Sequence, residues 1–149
     1  MTLLETIRIM ENVARVQPSV RMIVRNDIFR MNGAPDRRYG VFAWTQQQHS
    51  GTIGNDLMSY AFSLFYVDRL THDRRNELEV QSVGIQTLDN IIRRLNDLGI
   101  EAESWTFQTF NQRFTDECAG VWCNVTFQVP VSLVCAEEFI TDNTDFNIY

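Results

Sequence analysis

The stretch LMSYAFSLFYVDRL, residues 57–70, decides the fold. Its side chains alternate between two faces, with Tyr60 and Phe62 on one face and Ala61 and Phe65 on the other. Both faces are mostly apolar, which is typical of a strand at the centre of a sheet that is covered on both sides. The sequence therefore predicts a central strand, around which the rest of the chain is arranged.

A long amphipathic helix is predicted directly after this strand, over residues 76–98. Asn76 is a suitable N-cap and Gly99 a suitable residue just beyond the C-terminus, because glycine adopts the left-handed conformation that ends many helices. Gly84 would allow a close approach to the sheet. The stripe that we expect to be buried consists of Gln81, Ile85, Leu88, Ile91, Ile92, Leu95 and Leu98.

Shorter patterns complete the predicted fold. Residues 2–16 have helical spacing, and Thr2 with Glu5 fits a capping box. Period-2 alternation is clearest in residues 121–131, where the odd positions face the core and Trp122 faces outward. The connection before this strand is predicted to contain Phe114, Thr115, Asp116, Glu117 and Gly120.

Further extended segments are predicted at residues 21–30, 39–48 and 103–111, and a turn at residues 32–36. The fold class is α+β, with a mostly antiparallel sheet of about 4–6 strands packed by an N-terminal helix and a long central helix.

The chain length of 149 residues favours one domain. We assign residues 1–135 to a single α+β domain and residues 136–149 to a C-terminal arm. The arm contains four acidic residues but also Phe146 and Tyr149. A freely solvated tail would not need these apolar residues, so we expect the arm to dock on another surface.

The charge composition is unusual. The formal net charge is -6, which argues against a surface built mainly to hold a phosphate backbone. All 13 basic residues are arginine. Genome bias would explain this, and so would a role in protein contacts, where arginine is enriched and lysine depleted; the sequence leaves both explanations open.

Residue chemistry indicates neither an enzyme nor a metal protein. His72 and Asp73 are neighbours on a predicted turn, and His49 lies in a glutamine-rich loop with no evident partner. The three cysteines show no metal-binding spacing and are read as reduced thiols with a packing role. We therefore predict no catalytic residue, no metal and no cofactor. The N-terminus lacks a secretion-signal pattern and no run is long enough to cross a membrane, so a cytoplasmic protein is expected.

Charged and aromatic residues at turns and strand faces are the candidates for contacts between subunits. Asp68, Arg69, Asp73, Arg74 and Arg75 cluster where the central strand meets the long helix, and either a solvated corner or an ion-pair network between subunits would explain them. The full set of candidate interface residues is Arg37, Arg38, Asp68, Arg69, Asp73, Arg74, Arg75, Trp122, Phe146 and Tyr149.

The order of elements, together with FSLFYVDRL (residues 62–70), IQTLDNIIRRL (residues 85–95) and FTDECAGVWCNVTFQV (residues 114–129), resembles small neck and tail-completion proteins of tailed bacteriophages. The resemblance extends from about Leu3 to Val134. It is greatest to tail-terminator-like or head–tail connector ring proteins of phages that infect gut Bacteroidota, including crAss-like phages.

This resemblance implies a non-enzymatic virion protein that closes into a homo-oligomeric ring, a hexamer or a dodecamer, in the neck or tail. It also implies assembly in the bacterial cytoplasm, contacts with portal, connector and tail proteins, and passage of DNA without sequence-specific binding or a membrane. An alternative is a soluble binding module that uses a sheet face for a small molecule or a peptide. An enzyme would require a buried cluster around His72, Asp68 or Asp73.

Overall fold

A computed structural model describes residues 1–28, 30, 39–71, 73–113 and 117–131. In these residues the chain is α+β with a mostly antiparallel sheet, as the sequence predicts. The elements in chain order are α1 (Leu3–Arg15), β1 (Met22–Arg25), β2 (Val41–Gln46), β3 (Ser50–Gly51), β4 (Leu57–Arg69), α2 (Glu77–Asp97), β5 (Thr106–Arg113) and β6 (Glu117–Pro130). The predicted turn at residues 32–36 and the arm at residues 136–149 lie outside the described residues.

The sheet has the order β1-β2-β4-β6-β5, and the short strand β3 pairs with the first part of β4. β1 is parallel to β2, whereas every other pair is antiparallel. β4 pairs with β6 over its full length, from Leu57 opposite Pro130 to Arg69 opposite Cys118. The predicted central strand is therefore confirmed, and α2 carries the chain from β4 to β5 while β6 fills the gap between those two strands.

Both helices pack on one face of the sheet, which we call the helix face. The alternate residues of β4 and β6 that point to this face join apolar residues of α1 and α2 in one continuous core. Burying each such side chain stabilises the fold by about 1.5–3 kcal/mol. The largest fully buried side chains are Met10, Phe42, Phe62, Leu64, Tyr66, Leu88, Ile91, Ile92, Leu95, Ile100 and Phe127.

The opposite face of the sheet, which we call the outer face, is covered only in part by residues that the structure describes. A second apolar cluster occupies one end of it, formed by Val24, Ile28, Val41, Ala43, Val67 and Cys118. Toward the end of β6, Asn124, Thr126 and Gln128 are exposed on this face. The predicted alternation of β6, odd residues inward and even residues outward, is confirmed.

α1 begins as predicted. The Thr2 side chain accepts a hydrogen bond from the backbone N–H of Glu5, and the Glu5 carboxylate accepts one from the backbone N–H of Thr2. This reciprocal pair satisfies two N–H groups that a helix start otherwise leaves unbonded.

α2 presents most of its predicted stripe to the core, since Leu88, Ile91, Ile92 and Leu95 are buried as expected, but the edges of the stripe differ from the prediction. Gly84 lies against the sheet as expected: an added Cβ would be 2.9 Å from both Tyr66 Cδ1 and Val121 Cγ2. The residues buried with it are Val80, Thr87, Leu88, Ile91, Ile92 and Leu95, whereas Ile85 and Leu98 are exposed and Gln81 is half-buried. The helix is therefore rotated slightly from the predicted orientation, so that Gly84 meets the sheet, Val80 and Thr87 are buried, and Ile85 and Leu98 are left outside the core.

Asn76 does not cap α2 through its side chain, contrary to the prediction. Its Nδ2 donates to the Arg69 carbonyl at 3.0 Å, and its Oδ1 accepts the Thr71 backbone N–H at 2.8 Å. The side chain therefore ties the connection that precedes α2 back to the end of β4. Gly99 has a φ of 88°, which confirms the predicted glycine-type end of the helix.

Glu117 and Gly120 belong to β6 and not to a connection, so that part of the prediction is wrong. Gly120 is required by packing within the sheet, since an added Cβ would be 2.2 Å from the Tyr66 carbonyl oxygen and 2.7 Å from Phe110 Cζ. Cys118 and Cys123 are buried, which agrees with a packing role, and Cys135 lies outside the described residues.

Candidate functional site

The two described residues around which a catalytic cluster would have to form, Asp68 and Asp73, are engaged in local contacts. Asp68 Oδ1 accepts the Arg69 backbone N–H at 2.7 Å, and Asp73 Oδ1 accepts the Thr71 hydroxyl at 3.0 Å. His72 lies outside the described residues. In the described ranges no group of three or more His, Cys, Asp or Glu side chains is placed to hold a metal ion.

His49 has partners that the sequence did not reveal. Its ring contacts Tyr60 edge-on, with 5.4 Å between the ring centroids, and lies 5.7 Å from Phe62. Its Nδ1 accepts the backbone N–H of Ala61 at 3.2 Å, and its Nε2 lies 3.1 Å from Gln46 Oε1. His49 therefore fastens the loop after β2 onto β4.

The predicted charged corner does bring its residues together, but their charges pair within the chain. Arg74 forms an ion pair with Glu117 at the start of β6, and Arg75 pairs with Asp73. The hydrogen bond to Glu117, followed by its charge, raises the pKa of Arg74. An additional role of this corner between subunits stays a prediction, as does any role of Arg37, Arg38, Phe146 and Tyr149, which lie outside the described residues.

Trp122 lies on the outer face, as predicted. Its ring stacks on Phe65 with 6.4 Å between centroids and 26° between planes, and both side chains are half-buried. Beside it, Gln47 Nε2 donates to Ser63 Oγ at 2.7 Å and to Asn124 Oδ1 at 2.8 Å. Two shallow pockets of about 250 and 290 Å³ adjoin this region and share Asn124 in their walls.

A larger groove follows the edge of β1 that pairs with no described strand, and no sequence pattern predicted it. Its volume is about 660 Å³, and consecutive residues 20–25 line it, which shows that the groove runs along the backbone of the strand. We call it the β1 groove. Its remaining described lining residues are Glu11, Arg15 and Arg30. The sequence feature that could have indicated this groove is the presence of three arginines, Arg21, Arg25 and Arg30, within ten residues of a chain without lysine.

Four arginines give the β1 groove a basic character. Arg25 Nε donates to Glu11 Oε2 at 2.7 Å, and the Glu11 side chain is only 4% exposed. This hydrogen bond, followed by the charge of Glu11, raises the pKa of Arg25. Arg15, Arg21 and Arg30 are exposed and form no ion pair with any residue in the described ranges.

The other edge of the sheet, β5, is flanked by acidic groups of α2. Asn111 Nδ2 donates to Glu77 Oε1 at 2.7 Å, and Trp105 Nε1 donates to Asp89 Oδ1 at 3.0 Å. These two contacts show that α2 lies along β5 in the opposite direction. Asp89 also pairs with Arg93, whose guanidinium lies 5.5 Å from the centroid of the Trp105 ring.

Comparison with models of known protein families gives no match, and comparison with curated proteins gives none either. Of the helices in the described ranges, neither is both long and apolar enough to cross a membrane.

Proposed function

We propose that the protein is a non-enzymatic structural subunit that assembles with copies of itself into a ring at the head-to-tail junction of a tailed bacteriophage. In this role it would act as a tail terminator, tail-completion or connector protein and would line or seal the DNA channel. Its surfaces for assembly, not a reactive centre, would carry its function.

The observation that carries this proposal concerns the two outer strands of the sheet, β1 and β5. Each has one edge that pairs with no strand in the part of the chain that the structure describes, and the two edges differ in the charge beside them. β1 borders a basic groove, whereas β5 is flanked by Glu77 and Asp89. A ring with head-to-tail contacts needs two different and complementary surfaces on each subunit. The two edges of this sheet have that property.

The resemblance described above supports the place of this ring in the virion. It favours six-fold or twelve-fold symmetry, neighbouring portal, connector and tail proteins, and assembly in the bacterial cytoplasm. The net charge of -6 is compatible with a channel through which DNA slides, because like charges repel phosphate.

Native mass spectrometry and analytical ultracentrifugation of the purified protein test the assembly, and proteomics of purified phage particles tests the location. We expect one closed oligomer with six or twelve subunits and recovery of the protein in particles at a matching copy number. A protein that remains monomeric at high concentration and is absent from particles would refute the proposal.

A second candidate, a binding module, is favoured by one observation: two shallow pockets share Asn124 on the outer face, and Trp122 lines the one of about 290 Å³. A small molecule or a peptide bound there would perturb Trp122 fluorescence. The two functions differ in their oligomeric state. A stable monomer whose Trp122 signal changes on addition of a ligand, and whose Trp122→Ala variant loses that binding, would favour the binding module.

A further inference from the structure

We propose that β5 of one copy pairs antiparallel with the outer edge of β1 of the next copy, the edge that has no strand neighbour in the described part of the chain, so that the sheet continues from subunit to subunit. This inference rests on the ring assembly proposed above and names its contact. In it, Arg15 and Arg21 of the β1 groove face Glu77 beside β5 of the neighbouring copy.

Strand direction makes this pairing possible without turning either copy over. β1 is parallel to β2, and each of the three steps from β2 through β4 and β6 to β5 is antiparallel. β1 and β5 therefore run in opposite directions. Copies related by a rotation about an axis along the strands keep their helices on the same side and bring β5 antiparallel to β1. Such a contact is heterologous, and it closes into a ring when the rotation divides a full circle.

The two edges also match in the orientation of their side chains. Within one subunit, residues that pair across successive strands define which positions of β1 and β5 lie at the same level. Met22 is level with Phe110, through Val41, Val67 and Gly120. Arg25 is level with Phe107, through Trp44, Leu64 and Cys123. Met22 and Phe110 both belong to the outer face, and Ile23 and Thr109 both to the helix face. An unstaggered pairing would therefore continue both faces across the contact.

The edge of β5 lacks the features that usually prevent strands from pairing. Natural edge strands are protected by charges, proline, bulges or short length. β5 is eight residues long, contains no proline, and has Arg113, its last residue, as its one charged residue. β1 is only four residues long, but its groove of about 660 Å³ provides space along the backbone for another strand.

The charges beside the two edges are complementary at the same level of the sheet. Arg21 directly precedes Met22 and is thus level with Asn111, which donates a hydrogen bond to Glu77. Glu77 of one copy would then lie beside Arg21 of the next, with Arg15 on the adjoining wall of the β1 groove. Farther along the strands, Arg25 and Asp89 already have partners within their own chain.

Charge exchange between the two edges tests this contact. One variant carries Arg15→Glu and Arg21→Glu, and a second carries Glu77→Arg. Each variant alone places like charges across the contact, so we expect its self-association to weaken by about 100-fold or more. In an equimolar mixture the two variants can alternate around the ring. Each contact then joins either two unsubstituted edges or two substituted edges, and in both cases the facing charges are opposite. We therefore expect the mixture to assemble again, as measured by sedimentation velocity.

A matched control carries Arg8→Glu and Arg94→Glu. These substitutions change the net charge by the same amount as those of the Arg15→Glu, Arg21→Glu variant, but at exposed positions outside the groove. We expect this control to assemble as the unmodified protein does. Equal loss of assembly in the control, or no recovery in the mixture, would overturn the proposed contact.

Hydrogen exchange on the unmodified protein gives a readout that does not depend on the folding of any variant. We expect backbone amides in Met22–Arg25 and Thr106–Arg113 to gain protection on assembly. An oligomer that forms without this protection, or that survives the Arg15 and Arg21 changes, refutes the contact but not the ring. A protein that never assembles refutes the ring itself.

Discussion

At the scale of single residues, Gly84 sets how closely α2 approaches the sheet. An added methyl group would meet the Tyr66 ring and Val121, and both of these residues are buried. Gly84→Ala would gain about 1 kcal/mol of helix propensity, but overpacking of a closed core costs more than that. We expect a net loss of about 1–2 kcal/mol in the free energy of unfolding, measured with urea.

Ser82→Ala provides the matched control for this prediction, because Ser82 is exposed on the same helix. We expect it to leave the free energy of unfolding unchanged or to raise it slightly. A Gly84→Ala variant as stable as the Ser82→Ala variant would show that α2 does not depend on the close approach at this position.

Two buried side chains make stability dependent on alkaline pH. Burial raises the pKa of the Cys123 thiol from its ordinary value of 9.0 to about 12. Burial, followed by the negative charge of Asp68, raises the pKa of the Tyr66 hydroxyl. At a pH between the ordinary pKa and the raised pKa of each group, the folded protein thus keeps a proton that the unfolded chain releases. The contribution of Cys123 to stability is complete below pH 9 and is lost as the pH rises from about 9 toward 12, and that of Tyr66 is complete below about pH 10 and is lost above it.

We expect the free energy of unfolding to fall above pH 9 by up to about 1.4 kcal/mol per pH unit for each such group. Cys123→Ala removes one of the two groups. Urea titrations at a series of pH values should therefore give this variant a shallower decline between pH 9 and 10 than the unmodified protein. Parallel declines would contradict the assignment to Cys123.

At the scale of elements, the connection between β4 and α2 depends on Asn76. If Asn76 were an ordinary N-cap, serine would replace it without loss, because serine caps helices equally well. In this structure the amide reaches both Arg69 and Thr71, which serine is too short to do. We expect Asn76→Ser to lower the free energy of unfolding by about 1–2 kcal/mol, measured by thermal or urea unfolding. A neutral effect would restore the cap interpretation.

The elements themselves and the alternating faces of β6 could largely be predicted from the sequence, but the exact rotation of α2 about its axis could not. Alternation and helical spacing are local properties, so the predicted bounds of β4 and of both helices lie within one residue of the observed ones, while β6 begins four residues earlier than predicted. The exact face that α2 buries depends on contacts that are distant in sequence, such as the close approach of Gly84 to Tyr66 and Val121. The local pattern favoured Ile85 and Leu98, which the folded chain leaves exposed.

The candidate site was predictable to a smaller extent for the same reason. Trp122 was placed correctly because its outward direction follows from the period-2 pattern of its own strand. The β1 groove combines the end of α1 with β1, and a strand becomes an edge only through the order of the whole sheet. That order is a property of long-range pairing, which a local pattern does not contain.

At the scale of the whole molecule, the proposed contact predicts assembly that depends on salt. Paired arginine and glutamate at a partly exposed contact are screened as the Debye length falls from about 10 Å at 0.1 M salt to about 3 Å at 1 M. We expect the association constant measured by ultracentrifugation to fall over this range. The Arg15→Glu, Arg21→Glu variant should show the opposite trend, because salt screens its repulsion. Association that salt does not affect in either protein would indicate a contact without these charges.

The position of β6 between β4 and β5 has a consequence for how the protein is made. β6 is the last strand of the described chain, yet it pairs with both β4 and β5 and separates them. While the ribosome is still synthesising residues 117–130, β5 has no neighbour within the sheet and β4 has none on one side. The nascent chain must therefore keep α2, the unpaired β5 and the open side of β4 from aggregating until β6 emerges, and the sheet can close only after residue 130 has left the ribosome.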